Sequence, residues 1–174
     1  MSDPYEEILE GEMCLRLPPG ERHEEICRRL HERVATAMTG VTAMTGVTVA
    51  RLLPPRTMVE IARGSRVRPD LALVTVATNK LWLAAEVVNS GDHHADTVLK
   101  KSLYEEAALP RLWMVDPRYD NVEVYHGVTH GLALKEILAV RDVLTEALLP
   151  NFKYVISELF HTPPDQSFGE STNR

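Results

Sequence analysis

Leu81-Trp82-Leu83-Ala84-Ala85-Glu86-Val87-Val88 is apolar on both faces except for a single carboxylate. The run does not alternate, and Asn79 before it and Asn89-Ser90-Gly91-Asp92 after it are turn signals. That pattern describes a strand covered on both sides, as in a sheet flanked by helices. A carboxylate buried in such a strand is costly unless something pairs with it. A metal ion is the strong partner, and an arginine at the strand end is the alternative. Asp70 meets the same condition, since it follows Pro69 and precedes Leu71-Ala72-Leu73-Val74. Proline keeps Arg68 extended, which suits a sheet edge or bulge that aims a carboxylate into a cleft. Two carboxylates on neighbouring strands make a hard-cation site of the Mg²⁺ type.

Downstream of Glu86 the spacing predicts a helix from about His93 to Leu109, capped by the Asn89–Asp92 turn and stopped by Pro110. Asp96, Lys100 and Tyr104 share one face of it at i, i+4 and i+8. By spacing alone Asp96 and Lys100 read as a surface ion pair. Leu112 to Val115 and Val122 to His126 read as strands, residues 132–149 as one or two more, and Ile156 to Phe160 as a closing helical turn.

Upstream, Met13 to Leu17 alternates as a strand and is ended by Pro18-Pro19-Gly20. Ile26, Leu30, Val34 and Met38 then recur every fourth residue, predicting an amphipathic helix of about eighteen residues from Glu21. The tandem copy of Ala37–Thr42 as Ala43–Thr48 reads as a lengthened helix-to-strand connection. Strands are predicted at Val47–Leu53, Met58–Ala62 and Val67–Val76. The order predicts a mixed α/β (α+β) fold, a mixed sheet flanked by helices, with one domain over 1–161 and a polar, mobile tail over 162–174.

Composition bounds the function. The 174 residues are 44% apolar and 25% charged, an ordinary globular balance. The longest apolar run is five residues, Leu81 to Ala85, too short to span a membrane. The first twelve residues hold five acids and no base, unlike a secretory leader, and Cys14 and Cys27 are too few for a disulfide framework. A soluble, cytoplasmic protein is expected. Net charge is −6, but residues 13–69 hold ten arginines against five glutamates, which permits a local basic face. His126-x3-His130 straddles Gly127 in a hairpin, and His93-His94 open a helix. The sequence has no phosphate-binding glycine loop, nucleophile elbow or His-Glu-x2-His pattern.

These residues resemble a known family. Pro69-Asp70 followed by Glu86-Val87-Val88 is similar to the PD-(D/E)XK restriction-endonuclease-like superfamily, and most of all to its bacterial Uma-type group. A Tyr-Glu…Asp-Gly-Glu opening resembles Glu7-Ile8-Leu9-Glu10-Gly11-Glu12, and a Pro-Pro-Gly turn with a nearby histidine resembles Pro18-Pro19-Gly20 and His23. A Glu-Val-x-Ser strand end resembles Glu86 to Ser90, and an Asp-x3-Lys-x3-Tyr helix resembles Asp96, Lys100 and Tyr104. A Pro-x2-Trp-x-Val-Asp-Pro strand resembles Pro110, Trp113, Val115, Asp116 and Pro117. The likeness runs from Tyr5 to Phe160. It departs at Val88, where the superfamily has its lysine; the Uma-type group carries that lysine on the next helix, which points to Lys100, with Lys101 second. Asn89-Ser90-Gly91 replaces Ser-Pro-Ser, and Glu10 replaces an aspartate.

The resemblance implies a restriction-endonuclease-like core that hydrolyses DNA phosphodiesters with Mg²⁺ or Mn²⁺; a homodimer is expected because cutting both strands is easiest with two sites related by a two-fold axis. It implies Asp70, Glu86 and Lys100 as catalytic residues. The metal would be held by Asp70, Glu86 and the Val87 carbonyl, with Glu12, His23, Lys101 and Tyr104 as further participants. The rival classes are a non-catalytic nucleic-acid-binding or regulatory module of the same fold, and a nuclease for RNA or for a structured intermediate.

Overall fold

The computed structural model describes residues 3–161 apart from 63, 90, 92 and 93. The tail expected over 162–174 lies outside the described residues. A six-stranded mixed sheet runs in the order β10-β9-β8-β7-β6-β3. Its strands are Ala50–Leu52 (β3), Leu71–Thr75 (β6), Leu81–Val87 (β7), Arg111–Asp116 (β8), Asn121–Val128 (β9) and Gly131–Ala139 (β10). A four-stranded antiparallel sheet, β2-β1-β5-β4, is built from Tyr5–Leu9 (β1), Glu12–Arg16 (β2), Val59–Ala62 (β4) and Ser65–Val67 (β5). Val143–Glu146 (β11) and Leu149–Val155 (β12) form a hairpin.

The expected mixed α+β architecture is what the chain adopts. The strand expected at Val67–Val76 is two strands in different sheets, because Arg68-Pro69-Asp70 breaks the ladder and lets the chain cross between them. β1 and β12 were not expected, since acidic and polar residues interrupt their apolar pattern.

β7 and β8 are the parallel pair of the large sheet, and the crossover between them carries a π-helical turn, Ala95–Lys100, running into the helix Lys101–Glu106 (α2). One continuous α-helix was expected here. The wider π turn changes the angle at which the following residues face the sheet, and such turns are frequent at functional sites. Gly127 closes over this crossover: its N–H donates to the Pro110 carbonyl at 2.9 Å, and a Cβ there would meet the Leu109 carbonyl oxygen at 2.7 Å.

The helix Glu21–Thr45 (α1) covers one face of the large sheet. Ile26, Leu30 and Val34 pack there against Leu71, Leu73, Leu83, Ala85, Val87 and Trp113, and each such buried side chain contributes roughly 1.5–3 kcal/mol. The other face of the sheet packs Ala84, Val88, Leu112 and Met114 against Leu103 and Tyr104 of α2 and Leu9 and Val67 of the small sheet. β7 therefore alternates: Leu83, Ala85 and Val87 meet the α1 side, while Ala84 and Val88 meet the α2 side. Glu86 shares the parity of the second set. The helix Ile156–Phe160 (α3) closes the described chain. No described helix is long and apolar enough to cross a membrane.

Candidate functional site

Glu86 sits at the C-terminal end of β7 and is 1% exposed. Lys100, at the end of the π turn, reaches it with Nζ 2.6 Å from Glu86 Oε2. Tyr104, four residues on and on the same helix face, donates its hydroxyl to Glu86 Oε1 at 2.5 Å. Both helix residues are fully buried, so the Asp96–Lys100 surface pair suggested by spacing does not describe Lys100; the side chain of Asp96 lies outside the described residues. Burial, and then the Glu86 charge, push the Tyr104 phenol far above its ordinary value, so it remains a donor.

A second carboxylate shares the ammonium. Glu7 of β1 places Oε1 3.0 Å from Lys100 Nζ and accepts the Arg68 backbone N–H at 2.6 Å. Its Oε2 is buried without a hydrogen bond, with Arg16 Nε 3.7 Å away.

Asp70 immediately precedes β6. In the ladder Leu71 pairs with Ala85 and Ala72 with Ala84, so continuing the register brings Asp70 opposite Glu86. Its Oδ2 accepts the Val87 N–H at 2.9 Å, and its Oδ1 accepts Arg56 Nε at 3.2 Å. Arg56 is itself held by both oxygens of Glu24, at 3.0 and 2.8 Å. His23 of α1 donates Nε2–H to the Val87 carbonyl at 2.8 Å and lies 3.3 Å from Asp70 Oδ2. Val87 thus joins the two groups, its backbone holding Asp70 and His23 while the residue before it is Glu86.

The electrostatics follow from this packing. Burial alone would raise the Asp70 carboxyl, but the His23 hydrogen bond and the charges of His23, Lys100 and Arg56 outweigh it and bring the value down to about 2. Burial alone would lower the His23 imidazole; the bond and charge of Asp70 raise it instead. Tyr5, beside the cluster on β1, has its phenol raised, by burial first, while Lys100, Asp70, Glu7 and Glu86 all act on it.

Of the residues singled out by sequence, Asp70, Glu86, Val87, Lys100, Tyr104 and His23 make these contacts. Glu12 and Lys101 do not. Glu12 is exposed on β2, opposite Leu9 of β1, and Lys101 lies 4.6 Å from the Tyr125 ring centroid and 3.9 Å from Glu105. Successive helix residues diverge by about 100°, so Lys100 and Lys101 cannot both face Glu86. Sequence reasoning missed Tyr5, Glu7 and Arg56. The signal for the first two was present, because Tyr5, Glu7 and Leu9 alternate as one face of a strand.

The family model described as "Uma2: Putative restriction endonuclease" matches residues 2–157. The chain belongs to the Uma2 family. Its fold is that of a solved structure titled as a putative nuclease belonging to DUF820 from Anabaena variabilis ATCC 29413, with a TM-score of 0.73 at 12% identity over 91% of each chain. No curated protein matches the chain. The resemblance drawn from the motifs, and the restriction-endonuclease-like fold it implied, thus agree with the family and with the solved structure.

Among the described residues of this Uma2 chain, the three donors that lie within 4.8 Å of one another are His23, Cys27 and Asp70; the oxygen donors at the end of β7 are of another type. Asp70, Glu86 and Glu7 offer carboxylate oxygens and Val87 a carbonyl, the ligand types Mg²⁺ takes. The buried Oε2 of Glu7 makes no hydrogen bond and is ion-paired with Arg16 Nε at 3.7 Å, so it keeps a lone pair that a cation could take.

Proposed function

We propose that the chain is a divalent-cation-dependent endonuclease hydrolysing DNA phosphodiester bonds, with Asp70, Glu86 and Lys100 as its catalytic residues. The observation that carries this reading is the meeting of Lys100 with Glu86 at the end of β7, one residue from the backbone that holds Asp70. Asp70 and Glu86, with the Val87 carbonyl, would hold Mg²⁺ or Mn²⁺, which when bound neutralises phosphate charge and acidifies water. Lys100 supplies a positive charge for the negative charge that develops at phosphorus. Tyr104 fixes the orientation of Glu86, and Glu7 fixes the Lys100 ammonium. His23 already donates to the Val87 carbonyl, so a cation there would take that oxygen's second lone pair.

A homodimer suits cleavage of both strands, because a two-fold axis relates two sites. The outward stripe Met13, Leu15 and Leu17 along and just beyond β2, each more than half exposed, supports such a contact. Sedimentation at the mass of one chain would remove the dimer. A cytoplasmic setting accords with Cys14 and Cys27 both being free thiols.

One observation favours the non-catalytic module: Glu7, Glu86, Lys100 and Asp70 are all buried, and two carboxylates already engage the ammonium. Cleavage decides between the readings. Wild type should cut plasmid DNA with Mg²⁺ or Mn²⁺ but not with EDTA, and Glu86→Ala should abolish the cut. Cleavage of RNA or branched DNA alone would move the substrate class. No metal-dependent cleavage of any of these would leave the binding module.

A further inference from the structure

α1 carries a second set of donors. His23 and Cys27 are four residues apart and so lie on one face of the helix. Both are buried, as is Asp70. His23 Nδ1 is 3.4 Å from Cys27 Sγ, and one donor atom from each of the three residues falls within 4.8 Å of the other two.

We propose that His23, Cys27 and Asp70 bind a thiophilic divalent cation of the zinc class, at a site that differs in its donors from the Asp70–Glu86 carboxylate pair but shares Asp70 with it. A thiolate and an imidazole select zinc or cobalt over magnesium, which keeps to oxygen ligands. The outer contacts match those of a histidine ligand. Nε2–H is held by the Val87 carbonyl, which leaves Nδ1, the nitrogen facing Cys27, as the lone-pair donor. Asp70 is likewise fixed, by Arg56 and by the Val87 N–H. A path from solvent exists: Cys27 lines an open depression of about 360 Å³ with Glu24, His31 and Pro55. His31, one turn further along α1, has its Nε2 buried there without a hydrogen bond. On binding, Cys27 gives up its proton to solvent and the sulfur pair goes to the cation.

Sharing Asp70 has a consequence that rests on the nuclease reading. A zinc-class ion at His23 and Cys27 draws Asp70 away from the carboxylate pair and inhibits cleavage.

Cobalt reports the site without any need for activity. Titration of the full chain with Co²⁺ should produce a thiolate-to-cobalt charge-transfer absorption that Zn²⁺ displaces and Mg²⁺ does not. Cys14→Ser should retain the band. Cys27→Ala and Cys27→Ser should lose it, and Asp70→Asn should weaken cobalt binding by more than the roughly 10–100-fold that loss of an outer hydrogen-bond partner costs. Zinc should raise the melting temperature of wild type and not that of Cys27→Ala, which covers a variant that folds less well. No band in folded wild type, or a band that persists in Cys27→Ala, overturns the proposal. Where wild type cleaves, zinc should inhibit it and Cys14→Ser alike, and Cys27→Ala should tolerate at least ~10-fold more. Cleavage indifferent to saturating zinc overturns the shared role of Asp70. A chain that binds cobalt through Cys27 but cuts nothing keeps this site and loses the nuclease reading.

Discussion

Lys100 brings an ammonium into a space closed by Glu86 and Glu7, with 1% of it exposed. Removing one partner from a buried ion pair typically costs about 3–5 kcal/mol, because the remaining charge has lost its solvent. Lys100→Met should therefore lower chemical-denaturation stability by several kcal/mol, and on the proposed nuclease reading it should cut cleavage by about two to three orders of magnitude. Equal stability of the two proteins would show that water reaches the carboxylates. Asp70 makes a prediction in acid. Its carboxyl ionises near 2 when folded and near 3.8 when free, so its stabilisation is whole above about pH 4 and is lost as pH falls towards 2. The loss is about 2 kcal/mol in EDTA, and Asp70→Asn should lack that step in a pH series of melts. The raised His23 imidazole acts in the opposite sense, stabilising below its ordinary value and losing that contribution as pH rises through the raised one. Both effects report one Asp70–His23 contact and are not summed. Asp70 and Glu86 were legible because a carboxylate inside an apolar strand, or directly before one, is conspicuous. Glu7 was less so, because its alternation with Tyr5 and Leu9 is masked by Glu6 and Glu10 beside it, which make it one acid among several.

At the scale of elements, α1 differs most from its reading. The repeat expected to form a loop continues the helix to Thr45, where Gly46, at φ 68°, caps it by donating to Thr42 O. The helical ladder is a local structure that each added residue can extend once nucleated, even through Thr and Gly. Thr36 and Thr39 bond back to the Glu32 and Ala35 carbonyls within it. Val47–Ala50 then returns beside Met38 and Thr42, so this part of the chain is an excursion. Deleting Ala43–Thr48 should let Gly40 take over as the cap, since Val-Thr-Val then follows it as it follows Gly46. Helical ellipticity should fall by about six residues' worth, the repeat unit, while the fold survives, because Ile26, Leu30 and Val34 keep their contacts. Loss of the cooperative melt would show that the second copy contributes to the core. The π turn had no signal in sequence, since its residues suit an ordinary α-helix equally well.

For the molecule as a whole, the surplus of arginine in residues 13–69 is largely taken up inside the fold. Nine of the ten are in described positions, and each bonds or pairs within the chain: Arg16 with Glu7, for example, Arg56 with Glu24 and Asp70, and Arg33 with the Lys153 carbonyl. Arg22, Arg28 and Arg66 are more than half exposed, and their surface pairs are worth only about 0–1 kcal/mol, so these three can exchange carboxylate for phosphate. Duplex binding should then weaken with salt at a log–log slope of about −3, at about −0.9 per phosphate contacted. A slope near zero would exclude DNA as a partner through these arginines, and one beyond about −6 would mean that other basic groups open to the backbone. The sequence by itself determined that the Leu71–Val74 and Leu81–Val88 stretches are buried strands, that Asp70 stands at the edge of one and that Glu86 needs a partner. Those are properties of short windows, set by side-chain periodicity and by the cost of an unsolvated charge. Only the tertiary structure decided what the partners are. Lys100 and Tyr104 reach Glu86 across 14 and 18 residues, Arg68 reaches Glu7 across 61, and His23 reaches Val87 across 64. Such meetings depend on how β1 and α1 dock against the large sheet. The energy that selects one partner arises only when docking has removed both charges from water.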